Sequence, residues 1–188
     1  SKIDHFEVVF NDWGVFHYLR AAESSAGRVM GRLLNKQKRG PRIINIIDKV
    51  PSDTRDYYRK SFIDVPAVAD FLRKQGISRI EFDNLLQGID LEGAATDISK
   101  SLYIPFAFVS TTRFCLTANC DSDAPADYIG ILPCAQECRK YSFELVNPVM
   151  RVPLVRRGNA VFFFNDQIPE PITDKGFNRI VIEPEIPF

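Results

Sequence analysis

Four short apolar runs, each cut off by polar side chains, set the strongest limit on how this chain folds. HFEVVF (5–10) stops at Asn11-Asp12, RVMGRLL (28–34) at Asn35-Lys36, ISRIEF (77–82) at Asp83-Asn84, and SLYIPFAFV (101–109) at Ser110 through Arg113. Runs of this length read as strands, and helical signals separate some of them. Asn11 or Asp12 caps a segment with Val15, Phe16, Leu19 and Ala22 at helical spacing, and Gly27 suits its exit. Asp64 and Pro66 open a second, with Val65, Val68, Ala69 and Leu72 on one face and Gly76 at its stop. Residues 36–64 read as a long polar connection. Strands alternating with helices predict βαβ units and a parallel sheet.

Parallel α/β folds place their active sites at the carboxyl ends of the strands, so the four polar run-ends are expected to share one mouth. Asp12 and Asp83 are then the acid/base candidates, because two carboxylates in different environments can have separated pKa values. Their competing role is to cap a helix or turn. Asn11, Trp13, Lys36, Asn84 and Arg113 are the candidates for touching substrate. The loop NKQKRGPR (35–42) adds Lys38, Arg39 and Arg42, which suit a phosphate, a carboxylate or an RNA backbone. No aromatic residue is interleaved there, unlike in a single-strand RNA platform.

YSFEL (141–145), VPLV (152–155), AVFFF (160–164) and RIVIEP (179–184) are further candidate strands with little room for long helices between them. At 188 residues the chain reads as one domain. A full (β/α)8 barrel typically takes about 250 residues. The expectation is therefore an α/β protein, a TIM-type barrel or a partial barrel lacking the opening strands, over residues 1–188. An N-terminal trim or a second subunit that completes the barrel would explain the short count equally well.

Lys plus Arg and Asp plus Glu are 24 each, which excludes a global basic field for gripping nucleic acid. No run approaches the roughly 18 apolar residues of a membrane span, and the first residues carry no secretory-signal pattern. A cytoplasmic location is expected. In a reducing compartment clustered cysteines more often hold a metal than form disulfides. All four, Cys115, Cys120, Cys134 and Cys138, fall in the segment 113–140 with spacing C-x4-C-x13-C-x3-C. Four thiolates suit a cubane iron–sulfur cluster or a tetrahedral zinc, and the spacing leaves both open. Arg113, Arg139 and Lys140 could offset the charge of either. A nucleophilic peptidase needs a base such as histidine, and only His5 and His17 exist, with no H-E-x-x-H pattern.

NDWG after the first run, GRLLNKQKRGPRI after the second and IEFDN after the third resemble the later strands of the collagenase-like peptidase family. TTRFCL with GILPCAQECRKY resembles that family's cysteine region, and RRGNAVFFFN its following strand. The resemblance runs from about residue 6 to 184 and is most specific in the cysteine region and in GRLLNK. It implies an incomplete TIM-type barrel with a [4Fe–4S] cluster on Cys115, Cys120, Cys134 and Cys138. It also implies an oxygen-independent hydroxylase or its partner subunit, acting on ubiquinone precursors or RNA bases. Peptide hydrolysis, as the family name has it, and a zinc-stabilised binding module are the alternatives.

Overall fold

Two sheets share the chain, and Pro105 stands at the junction between them. In the computed structural model, residues 6–22, 24–91, 95–115, 117–122, 134–174 and 176–187 are described. The first sheet is entirely parallel, in the order β1 (Glu7–Phe10), β2 (Gly27–Met30), β3 (Ile77–Asp83), β4 (Ser99–Ile104) and β9 (Arg179–Ile182). The second is antiparallel, in the order β5 (Phe106–Thr111), β8 (Ala160–Phe164), β7 (Leu154–Arg157) and β6 (Phe143–Leu145). The fold is thus mixed α/β, with the parallel sheet curled into a half barrel.

Local signals account for the helices. Helix α1 (Trp13–Ala21) begins where the Asp12 carboxylate accepts from the N–H groups of Gly14 and Val15, at 2.7 and 3.1 Å. Helix α4 (Pro66–Lys74) starts with a proline in its first turn and ends before Gly76, whose φ of +67° a side chain would disfavour. The expected polar connection at 36–64 is more structured than its composition suggests. It contains α2 (Ile43–Ile46), α3 (Ser52–Arg59) and two single-turn 3-10 helices.

Parallel register puts Phe10, Met30, Ile80, Phe82 and Leu102 in one core with Phe16 of α1 and Leu72 of α4. The opposite face carries Val9 and Val29 on β1 and β2 and is mostly polar from β3 onward. Arg79, Glu81 and Asp83 of β3 share it with Ser99, Ser101 and Tyr103 of β4 and with Arg179 of β9. Curling brings its ends together: Glu7 on β1 pairs with Arg79 at 3.1 Å and with Arg179 on the far strand at 2.5 Å. Ion pairs and amides therefore line this concavity, where a closed barrel would have layers of branched apolar side chains.

Two strand readings are corrected. The run 28–34 leaves the sheet at Met30, because Gly31 starts a turn in which a Cβ would run into the Asn11 side chain. The residues of β3 that extend past β2 are instead satisfied by side-chain amides. Asn35 donates to the Glu81 carbonyl at 2.9 Å, and Gln37 both accepts from and donates to the Asp83 backbone, at 2.8 and 3.0 Å. The run 101–109 is two strands in different sheets, split at Pro105, which has no N–H to give a ladder. Among the described residues no helix is long and apolar enough to cross a membrane.

Candidate functional site

The carboxyl ends of the parallel strands do converge, and their charged groups are mutually occupied. Arg32, just past β2, donates to Asp83 at 3.3 Å, to the Phe106 carbonyl at 2.9 Å and to both oxygens of Glu183, just past β9. Its guanidinium lies 4.4 Å from the ring centroid of Tyr103. Asp83 is fully buried and also accepts from Arg39 at 2.7 Å and from the Phe108 N–H at 2.8 Å. Tyr103 shares a 2.6 Å hydrogen bond with Glu81.

Burial dominates the electrostatics of this cluster. It pushes the carboxyls of Glu81 and Glu183 above their ordinary values, against the opposing pull of Arg32 on both and of the Tyr103 hydroxyl on Glu81. It also raises the Tyr103 phenol, reinforced by the bond to Glu81. The folded chain therefore holds a proton on Glu81 at a pH where the unfolded chain has lost it. Stability contributed by this group is present below the ordinary glutamate value and is lost as pH rises through the folded one. Glu81→Gln keeps an acceptor for Tyr103 and removes that dependence. Its denaturation midpoint is expected to match the parent near pH 4 and to exceed it increasingly above about pH 5. A gain that is the same at every pH would show that Glu81 is not held protonated.

The predicted site residues separate into three groups. Asp83 and Asn84 lie at the mouth, and Asn84 is buried with its amide donating to the carbonyls of Asn165 and Gln167. Asp12, Asn11 and Trp13 lie at the end of β1 with local tasks. Asp12 caps α1, Asn11 accepts from the Leu33 N–H at 3.0 Å, and Trp13 stacks among Phe10, Phe16 and Phe71. Lys36 and Arg113 are exposed. Sequence reasoning missed Arg32, Glu81, Tyr103 and Glu183, and assigned Arg39 to a phosphate, carboxylate or RNA backbone where the fold gives it Asp83. Their partners lie between 22 and 151 residues away along the chain, beyond the reach of any local pattern.

The cysteines sit beyond β5 on the antiparallel sheet. Residues 116 and 123–133, including part of the GILPC motif, lie outside the described residues, as does His5. Cys115 and Cys138 are half-buried, Cys120 and Cys134 exposed, and all four are free thiols. Three contacts draw their flanking backbone together. The Asn119 N–H donates to Glu137 at 2.7 Å, the Thr117 hydroxyl to the Gly158 carbonyl at 3.2 Å, and Arg157 to the Cys138 carbonyl at 2.8 Å. Arg156, itself buried, donates to the carbonyls of Gly158 and Phe114 and to the Thr112 hydroxyl.

Negative charge gathers around the cysteines. Backbone N–H groups of Glu137 and Asn119 hold the Glu137 carboxyl below its usual value, yet among the described residues its Oε2 is buried without a hydrogen-bond partner. Slight desolvation, then the charges of Glu137 and Asp121, push the exposed Cys120 thiol up. A metal cation would offset that negative charge and favour the thiolate. Among the described residues, however, no three His, Cys, Asp or Glu side chains converge closely enough to hold a metal ion. His17 is exposed on α1 against Phe16, away from any cysteine pairing of the kind nucleophilic catalysis requires. No protein-family profile, curated protein or solved structure matches the chain.

Proposed function

We propose that this chain is an iron–sulfur enzyme, or the subunit of one, built on a partial TIM-type barrel and resembling the oxygen-independent hydroxylase branch of the collagenase-like peptidase family. The observation that supports it is the stitching of the cysteine segments. Asn119 to Glu137, Thr117 to Gly158 and Arg157 to Cys138 hold the backbones around Cys115, Cys120 and Cys138 against one corner of the antiparallel sheet. Cys115, Cys120, Cys134 and Cys138 would hold a [4Fe–4S] cluster, which would supply one-electron chemistry. The chain's own residues would fix the thiolates and shield them, with Arg156 clamping the start of the loop. The outer edges of β1 and β9, unpaired among the described residues, are where a second subunit would add to the barrel. A small molecule, RNA base or peptide remains the substrate class.

Peptide hydrolysis is disfavoured by a specific observation. Both carboxylates proposed as its acid and base serve the fold: Asp12 Oδ1 caps the first turn of α1, and buried Asp83 accepts from two arginines and an amide. The deciding measurement is purification without oxygen, followed by visible absorption and by iron, sulfide and zinc content of the same sample. About four irons and four sulfides per chain are expected. Cys138→Ala is expected to lose most of that metal and to loosen the cysteine loop. One colourless zinc per chain would replace this reading with a zinc-stabilised module. No metal, or full metal content in Cys138→Ala, would remove it.

A further inference from the structure

The charged cluster at the mouth has a consequence for the cysteine sheet. β5 is an edge strand of that sheet, and the N–H of Phe108, on the side away from β8, donates to Oδ1 of Asp83 at 2.8 Å. Arg32, held by the same carboxylate, donates to the Phe106 carbonyl two residues earlier. The guanidinium groups of Arg32 and Arg39 lie 5.8 and 5.6 Å from the rings of Phe162 and Phe108, so the sheet rests on them. Gln37 fixes Asp83 itself by bonding both its N–H and its carbonyl. Both oxygens of this carboxylate already accept hydrogen bonds, and the side chain is fully buried.

We propose that Asp83 is a positioning residue: through the Phe108 amide it sets the placement of the cysteine-bearing sheet against the half barrel. The path from there is short. Cys115 lies seven residues after Phe108, and Arg156 grips Thr112 and Phe114 between them. A shift of β5 is therefore passed to the start of the cysteine loop. A charge-assisted bond from a buried carboxylate to a backbone amide is stronger than a neutral ladder bond, which suits it to carry this placement. The mouth residues hold the metal-binding segment in place, as distinct from contacting substrate. The link to metal rests on the reading above; the placement of β5 does not.

The test is amide exchange by NMR on Asp83→Asn, with thiol alkylation rates at Cys115 in the metal-free chain. Phe108 is expected to exchange at least about tenfold faster, as loss of a charge-assisted bond implies. Cys115 is expected to react several-fold faster, while Ile80, Phe82 and Leu102 keep their parental exchange. Glu183→Gln removes a different partner of Arg32 and should leave Phe108 near its parental rate. Uniform acceleration in all strands, an unchanged Phe108 or an equal effect of Glu183→Gln would overturn the proposal. Should Asp83→Asn not fold, the parent chain decides. Its Phe108 amide must be as protected as those of Val161 and Phe163, and free exchange there overturns the proposal. Metal content of the same samples is read separately, so failure of the cluster reading leaves the exchange result intact.

Discussion

Arg32→Ala is expected to destabilise the chain by about 3–5 kcal/mol, the usual cost of removing one partner from a buried ion pair. The side chain is only 11% exposed and serves two carboxylates, Asp83 and Glu183, as well as the Phe106 carbonyl. Its loss strands negative charge in a buried site and uncovers Tyr103. The expected loss also depends on pH. Burial raises the carboxyls of Glu183 and Glu81, and deleting the cation beside them raises both further. Once protonated, neither needs Arg32, so the deficit should shrink as pH falls toward about 4 and be fullest above neutrality. Denaturant unfolding of parent and variant at several pH values measures this. A deficit that does not change with pH would mean that Asp83 alone, not the glutamates, depends on Arg32.

Arg156→Ala is the second large effect, at about 2–4 kcal/mol. The residue is 4% exposed, and its guanidinium satisfies two carbonyls and a hydroxyl in the β7–β8 turn and in the segment that follows β5 into the cysteine loop. Each buried acceptor left bare costs about 1–3 kcal/mol, partly recovered where water enters. The packing of the long side chain adds to the loss. The damage should be local, with protease cutting appearing first within residues 112–122 and the parallel strands protected. Conversely, equal loss of protection in β3 and β4 would show that Arg156 supports the whole fold and not the loop. Arg156→Lys should recover little, because one ammonium cannot reproduce the planar fork that reaches all three acceptors.

What was legible in the sequence was short-range. Helix α1 and its Asp12 cap, helix α4 between Pro66 and Gly76, and the strands β1 and β3 follow from residues within a few positions of one another. The clustering of cysteines on one segment was equally plain. Asp83 and Asn84 stand at the carboxyl end of β3, where parallel strands align their ends, whereas the fourth polar run-end follows β5 in the other sheet.

The tertiary structure decided how those groups are used. An apolar run continuous through Pro105 gives no hint that its halves enter different sheets. Only the partners of β4 and β5, namely β9 and β8, separate them. Asn35 and Gln37 read as polar loop, yet both are buried because they replace a strand that ends at Met30. From sequence Asp83 is an acid/base candidate or a cap, and the fold gives it Arg39, Phe108 and Arg32 from 44, 25 and 51 residues away. Capping and periodicity act through neighbours in the chain, so the sequence determined them by itself. A charge at a strand end acts through whatever the fold brings within about 3 Å, and only the assembled sheets make that choice.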